Sequence, residues 1–191
     1  MRTTAAPAQR PRHHPRPTPG RSAARTDRTG THRPPTHPLE PLMTTAIRTL
    51  AAWAALTAAH DVADHWVQID TQATAKGKPG PEGARACAAH VATYTATQAL
   101  ALAAADRLLG LRLDWRRAAL GLTISAATHY AADRQGGHWG DEHPRGVARL
   151  AAVTGHATWL RRDPGAGYLM DQAWHRGWIA VAAVVAGGGQ P

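Results

Sequence analysis

Residues 50–65 read LAAWAALTAAHDVADH: ten positions without a formal charge, then four ionisable side chains within six. Ala and Leu are strong helix formers whose side chains do not compete for backbone hydrogen bonds. The stretch therefore predicts a helix from about Thr44 to Gln68 that ends in His60-Asp61-Val62-Ala63-Asp64-His65. Three further Ala-rich runs, over about Glu82–Leu109, Asp114–Arg134 and Tyr168–Ala186, carry the same signature near one end: His90, then His129 with Asp133, then Asp171 with His175. A shorter run, residues 145–160, places Val147, Leu150, Ala151, Thr154 and Ala157 at helical spacing. β-Branched residues are sparse outside Val181–Val185. The reading is an all-α fold, an up-down bundle of four main helices plus a short amphipathic helix.

Charge divides the chain in two. Residues 1–42 hold eight Arg against Asp27 and Glu40, so they supply +6 of the net +9 and leave +3 for residues 43–191. This Arg/Pro-rich tail has almost no large apolar side chains and reads as disordered, with anionic lipid or nucleic acid as the partners its arginines suit. Met43-Thr44-Thr45 opens the apolar region and offers an alternative start, which would make the tail an upstream over-call. The single cysteine, Cys87, excludes an internal disulfide framework and a Cys-cluster zinc site, and reads as a small core residue.

Residues 86–105 contain no Asp, Glu, Lys or Arg, and twenty such residues can cross a hydrocarbon core of about 30 Å. Trp66, Trp115, Trp174 and Trp178 lie near run ends, where an interfacial aromatic belt would place them. The expectation is that the four main helices are transmembrane, in a multi-pass protein of the cell membrane with the lipid bilayer as partner. The alternative is a soluble bundle with Ala-rich packing faces.

In an alternating bundle the four His/Asp-bearing ends fall at one end of the molecule. His60 and Asp64, Asp61 and His65, His129 and Asp133, and Asp171 and His175 are each four apart, hence on one helix face. Eight His and nine Asp among residues 43–191 would give about one such pair by chance, against four found. Imidazole and carboxylate together suit a divalent transition metal, zinc or manganese foremost. The candidate ligands are His60, Asp64, His90, His129, Asp133, Asp171 and His175, with Gln68 and Gln172 as supporting amides. Asp64 and Asp133 are the candidate catalytic groups, as general base or as orienting carboxylates. Asp61 and His65 sit about 100° round the helix and are expected to face away. His138, His143 and His156 are expected at the surface, and Thr93, Thr95, Thr97, Ser125 and Thr128 in interhelical hydrogen bonds.

The motifs His60-Asp61-Val62-Ala63-Asp64-His65-Trp66-Val67-Gln68, Ala89-His90-Val91-Ala92-Thr93-Tyr94-Thr95, Thr128-His129-Tyr130-Ala131-Ala132-Asp133-Arg134 and Asp171-Gln172-Ala173-Trp174-His175 occur in that order. The stretch from 44 to 187 that contains them resembles the domain of unknown function 3307 family of actinobacteria, phages and other bacteria. The resemblance implies a multi-helix, membrane-associated protein with His and Asp at the motif positions. The family's His-x3-Asp-x3-Gln pattern falls on His60, Asp64 and Gln68, which turns that row inward, and a similarity to membrane metal-dependent hydrolases accompanies it. Three functions are carried forward: a metal-dependent, hydrolase-like site; a proton- or cation-binding transport module; and a DNA-associated regulator acting through the tail.

Overall fold

The computed structural model describes residues 39–189, with side chains from Thr44. Helix α1, Leu39–Val62, runs into one π-helical turn, Ala63–Val67. Then come α2, Asp70–Ala75; α3, Gly80–Leu109; α4, Trp115–Asp133; α5, Gly146–Ala151; a second π-helical turn, Ala152–His156; α6, Ala157–Arg162; and α7, Ala166–Gly187. No strand occurs among the described residues. The expectations of tail disorder, lipid or nucleic-acid contact and an alternative start rest on residues 1–42, and 1–38 lie outside the described residues.

The long helices α1, α3, α4 and α7 close a ring in which each touches two neighbours. Contacts near both ends of α1 and α7 show that they run antiparallel: His60 meets Gln172, and Gly187 meets Thr49. His90 against His129 and Tyr94 against Ser125 do the same for α3 and α4. This is the expected up-down bundle. Local chemistry sets its corners. Asp114 caps α4 by accepting from the Arg116 and Arg117 amides at 2.9 and 3.4 Å. Gly110 stops α3 at φ +62°, where a side chain would be strained. Pro81 sits in the first turn of α3, where its missing N–H costs nothing.

Several boundaries differ from the sequence reading. Helix α1 starts at Leu39 rather than Thr44, since Pro41 is tolerated in a first turn. Between the expected helices 44–68 and 82–109 lies a further short one, α2. The amphipathic stretch is broken at Gly155, whose φ of +102° no regular helix accommodates. Of the hydroxyls expected to link helices, Ser125 does so, bonding Tyr94 Oη at 2.9 Å, whereas Thr93, Thr95, Thr97 and Thr128 donate to carbonyls of their own helix. Thr128 still joins two helices through its carbonyl, which accepts from the Trp174 indole at 2.9 Å.

Two apolar clusters flank a polar layer. At one end Leu56, Leu102, Leu111, Ala118, Ile179 and Ala182 pack together; at the other, Ala132, Trp139, Ala148 and Leu160 join α4, α5 and α6 to the start of α7. Small residues let the backbones approach closely. A Cβ on Gly121 would lie 2.6 Å from the Ala182 carbonyl oxygen, and one on Gly187 would lie 2.5 Å from the Thr49 nitrogen. Arg48 is buried beside this end and ties it together, donating to Leu111 O at 2.7 Å and Gly189 O at 3.0 Å.

Among the described residues, no helix is long and apolar enough to cross a membrane, so the transmembrane expectation finds no support there. The reason is compositional: α1, α3 and α4 are rich in Ala and Thr, which contribute little insertion free energy, and α7 carries Asp171, His175 and Arg176 in its first half. Trp66, expected near an interface, is 86 % exposed beyond the end of α1.

Candidate metal centre

His60 closes the last regular turn of α1 and is fully buried. The π turn that follows is closed by Gln68 N bonding to Ala63 O at 2.9 Å, five residues back. It carries Asp64 into the bundle, with Oδ2 3.5 Å from His60 Nδ1. Single π turns within helices recur at functional sites. Asp61 and His65 are exposed, as expected, and His65 Nδ1 sits 2.9 Å from its own helix's Asp61 O.

Helices α3 and α4 bring in His90 and His129, whose Nε2 atoms lie 3.0 Å apart. Asp64 Oδ1 is 3.4 and 3.5 Å from these two nitrogens, and Asp133 Oδ2 is 3.3 Å from each. Neighbouring donors around a tetrahedral ion with bonds of about 2.0–2.1 Å lie roughly 3.3–3.4 Å apart. That is the spacing each carboxylate oxygen keeps from the two imidazoles. The first turns of α7 complete the cluster: His175 Nε2 lies 3.2 Å from Asp171 Oδ2 and 3.8 Å from Asp133 Oδ1. All seven candidate ligands thus meet at one place.

Three overlapping trios have donor atoms within 4.8 Å of one another: His60, Asp64 and His129; His90, His129 and Asp133; and Asp133, Asp171 and His175. Apart from the His90–His129 contact, these donors face one another as charge neighbours without a hydrogen bond between them. Asp64 Oδ1, Asp133 Oδ2, His60 Nδ1 and His175 Nε2 are buried and lack a hydrogen-bond partner. Buried polar atoms are ordinarily paired, so a set of orphaned donors facing one another fits a bound cation.

The flanking residues orient the ligands. Gln172 Oε1 lies 3.1 Å from His60 Nε2, while Gln172 Nε2 reaches Asp171 Oδ2 at 3.4 Å. With the amide so turned, His60 Nε2 carries the hydrogen and Nδ1 presents its lone pair toward Asp64, the arrangement typical of a metal-bound imidazole. Tyr94 and His175 both stack on the His129 ring, at centroid distances of 3.8 and 4.1 Å. The Tyr94 hydroxyl is held by Ser125 and by the Gln98 amide at 2.8 Å, and Gln98 also donates to Leu56 O.

Electrostatics favour the ligating forms of His60, His129, Asp64 and Asp133. Burial lowers the pKa of His60 and of His129, against the opposing pull of Asp64 and Asp133 respectively. Burial would raise both carboxylates, but the imidazoles around them outweigh it, with Lys76 adding its charge at Asp133. Asp64 and Asp133 are therefore held below the usual carboxylate range. At His175 burial is outweighed by Asp171, and the pKa rises. Neutral imidazole and ionised carboxylate are the states that bind metal.

Two expectations need correction or addition. Gln68 was to extend the His60–Asp64 row, but the regular helix has ended before it; its Nε2 is buried without a hydrogen-bond partner. Lys76 has no role in the sequence reading. Its Nζ donates to Asp133 Oδ1 at 3.0 Å, and its carbonyl accepts from Arg134, so the last residue of α4 and the one that caps it hold both ends of it. Tyr94 and Gln98 also went unread as site residues, although they follow His90 at i+4 and i+8 and so share its face. His138, His143 and His156 lie outside the cluster, and His138 pairs with Asp141 at 2.9 Å.

Compared with protein-family models, curated proteins and solved structures, the chain matches none.

Proposed function

We propose that this bundle holds a divalent transition ion, zinc or manganese, in its His/Asp layer, and that the site is hydrolytic. The observation that carries the reading is the set of buried, mutually facing donors from four helices, of which Asp64 Oδ1, Asp133 Oδ2, His60 Nδ1 and His175 Nε2 lack a hydrogen-bond partner. When bound, such an ion would polarise a substrate oxygen and make water a competent nucleophile near neutral pH. The chain's own part is to hold His60 and His129 neutral and Asp64 and Asp133 ionised. One carboxylate, Asp64 or Asp133, would take up the proton that water gives up, and Gln172 would fix the His60 ring. The motif likeness to the domain of unknown function 3307 family agrees with this assignment.

Elemental analysis of the purified full chain tests it. Near-stoichiometric metal, lost on His129→Ala or Asp64→Ala, is expected. Metal-free wild type with both variants folded as stably as the parent would end the proposal.

A proton path through the bundle is less well supported, because the layer below Tyr94 and Gln98 is closed by Leu56, Leu102, Ala118 and Ile179. A second reading, contact with a lipid bilayer, is favoured by one observation: Leu50, Trp53, Leu100, Leu120, Val181 and Val184 are exposed on the long helices. Flotation of the full chain with phosphatidylglycerol-containing vesicles tests it, and recovery only in the vesicle-free fraction would end it.

A further inference from the structure

One cavity reaches the centre. It encloses about 220 Å³ and is bordered by Asp133 and Asp171, two of the seven candidate ligands, together with Lys76, Gly136, Trp139 and Tyr168. His60, His90 and His129 are sealed from solvent, whereas Asp171 is 20 % exposed. A catalytic ion keeps an open position for water and substrate. Of the three ligand trios, the one made by Asp133, Asp171 and His175 is placed to offer it, because two of its members line the cavity. His175 Nε2, itself buried and without a hydrogen-bond partner, completes that trio from behind.

Lys76 sits at the boundary between cavity and ligands. Its side chain is 17 % exposed, and its ammonium lies 3.0 Å from Asp133 Oδ1. The loop cannot drift: a Cβ on Gly77 would fall 2.0 Å from the Gly136 carbonyl oxygen, and Arg134 clamps the Lys76 and Lys78 carbonyls. In the chain alone Lys76 offsets one of three carboxylates, Asp64, Asp133 and Asp171. A divalent ion and Lys76 together would balance all three, so an anion entering the cavity would no longer be repelled and could be held by the ammonium. Across the Gly77–Gly136 contact, a second cavity of about 430 Å³ is bordered by Arg134, His138, His143 and Arg145 against one carboxylate, Asp141. The two arginines outnumber the one carboxylate along that second cavity, which favours anions there.

We propose that the cavity at Asp133 and Asp171 is the substrate entrance, and that Lys76 is the group in it that binds an oxyanion, the phosphoryl or carboxylate group of the substrate. The inference rests on the metal reading above. At about 220 Å³ the cavity is smaller than the roughly 300 Å³ from which sites for drug-sized ligands start. It therefore takes a small head group, with the rest of any larger substrate outside.

The test is calorimetric titration of zinc-loaded full chain with inorganic phosphate, with metal content measured on the same samples, for wild type, Lys76→Met and Lys76→Arg. Removing a cation beside three carboxylates does not weaken binding of a metal ion by charge. The expected result is unchanged or higher metal content in Lys76→Met, phosphate affinity reduced about tenfold or more, and affinity within a few-fold of wild type in Lys76→Arg. Full metal content with no phosphate binding by wild type, or with equal binding by wild type and Lys76→Met, overturns the inference and leaves the metal centre standing. Loss of metal along with phosphate in Lys76→Met also overturns it, since Lys76 would then act by holding Asp133. Lys76-dependent phosphate binding by a chain that takes up no metal would keep the anion site and remove the metal reading; neither metal nor phosphate bound removes both.

Discussion

His90 and His129 meet nitrogen to nitrogen, Nε2 to Nε2 at 3.0 Å, from two antiparallel helices with no solvent between them. Two imidazole lone pairs at that distance repel, so either one neutral ring carries its hydrogen on Nε2 and donates to the other, or a cation lies at the contact. Burial opposes an imidazolium at His129. A metal ion would take the place of that one hydrogen, with both Nε2 lone pairs turned toward it.

Metal should therefore stabilise the fold. An ion at about one hundred times its dissociation constant adds roughly 2.7 kcal/mol. For a domain of this size that corresponds to a rise in Tm of about 5–10 °C. Thermal unfolding with zinc and then excess chelator should show the rise and its reversal, and His129→Ala should show neither.

The metal-free chain should weaken in acid in two stages. His60 and His129 have lowered pKa values, so the unfolded chain takes up their protons first and stability falls as pH drops through about 6.5. Asp64 and Asp133 are also lowered; their contribution is complete above about pH 4 and is lost below it, as pH falls toward the folded values. His175, raised, opposes the first stage, since its stabilisation is present below about 6.5 and lost as pH rises through its folded value. Urea midpoints at pH 7.5, 5.5 and 3.5 measure this, and Asp133→Asn should flatten the last step.

Cys87 should be inert in the native protein. Its thiol is fully buried, 3.8 Å from Tyr130 O, and burial with the nearby Asp133 pushes its pKa up to about 12. At pH 8 a maleimide or iodoacetamide should label it only when the chain unfolds. Labelling at the rate of a free thiol in native conditions would contradict this packing.

Much of the centre is legible in the sequence because helical periodicity and alternating direction fix it together. Given four helices, His60, His90, His129 and His175 have to converge. What could not be read depends on non-repeating backbone. Lys76 arrives through the turn between α2 and α3, whose path no periodicity encodes. The π turn places Asp64 and ends the row before Gln68, yet it arises from packing rather than from a residue signature. The transmembrane reading failed to gain support for a different reason. Ala-rich runs look uncharged whether their partner is lipid or another helix, so absence of charge alone does not separate the two.

Two glycines should respond in opposite directions. Gly121→Ala puts a methyl 2.6 Å from the Ala182 carbonyl oxygen and must push α4 from α7, destabilising by about 1–3 kcal/mol. Gly177, in α7, has nothing within 4 Å of its added Cβ, so Gly177→Ala should stabilise by about 0.5–1 kcal/mol through helix propensity. Denaturant unfolding of both variants checks the pair.

The Gly121–Ala182 and Gly187–Thr49 contacts leave the helices no room to slide. Because every ligand but His90 stands on α1, its π turn, α4 or α7, their separations are set by backbone touching backbone some turns away, and an ion has little freedom to draw them in to suit itself. Selection among metals would then fall to size and preferred geometry rather than to raw affinity, with the seams between the helices acting as the gauge.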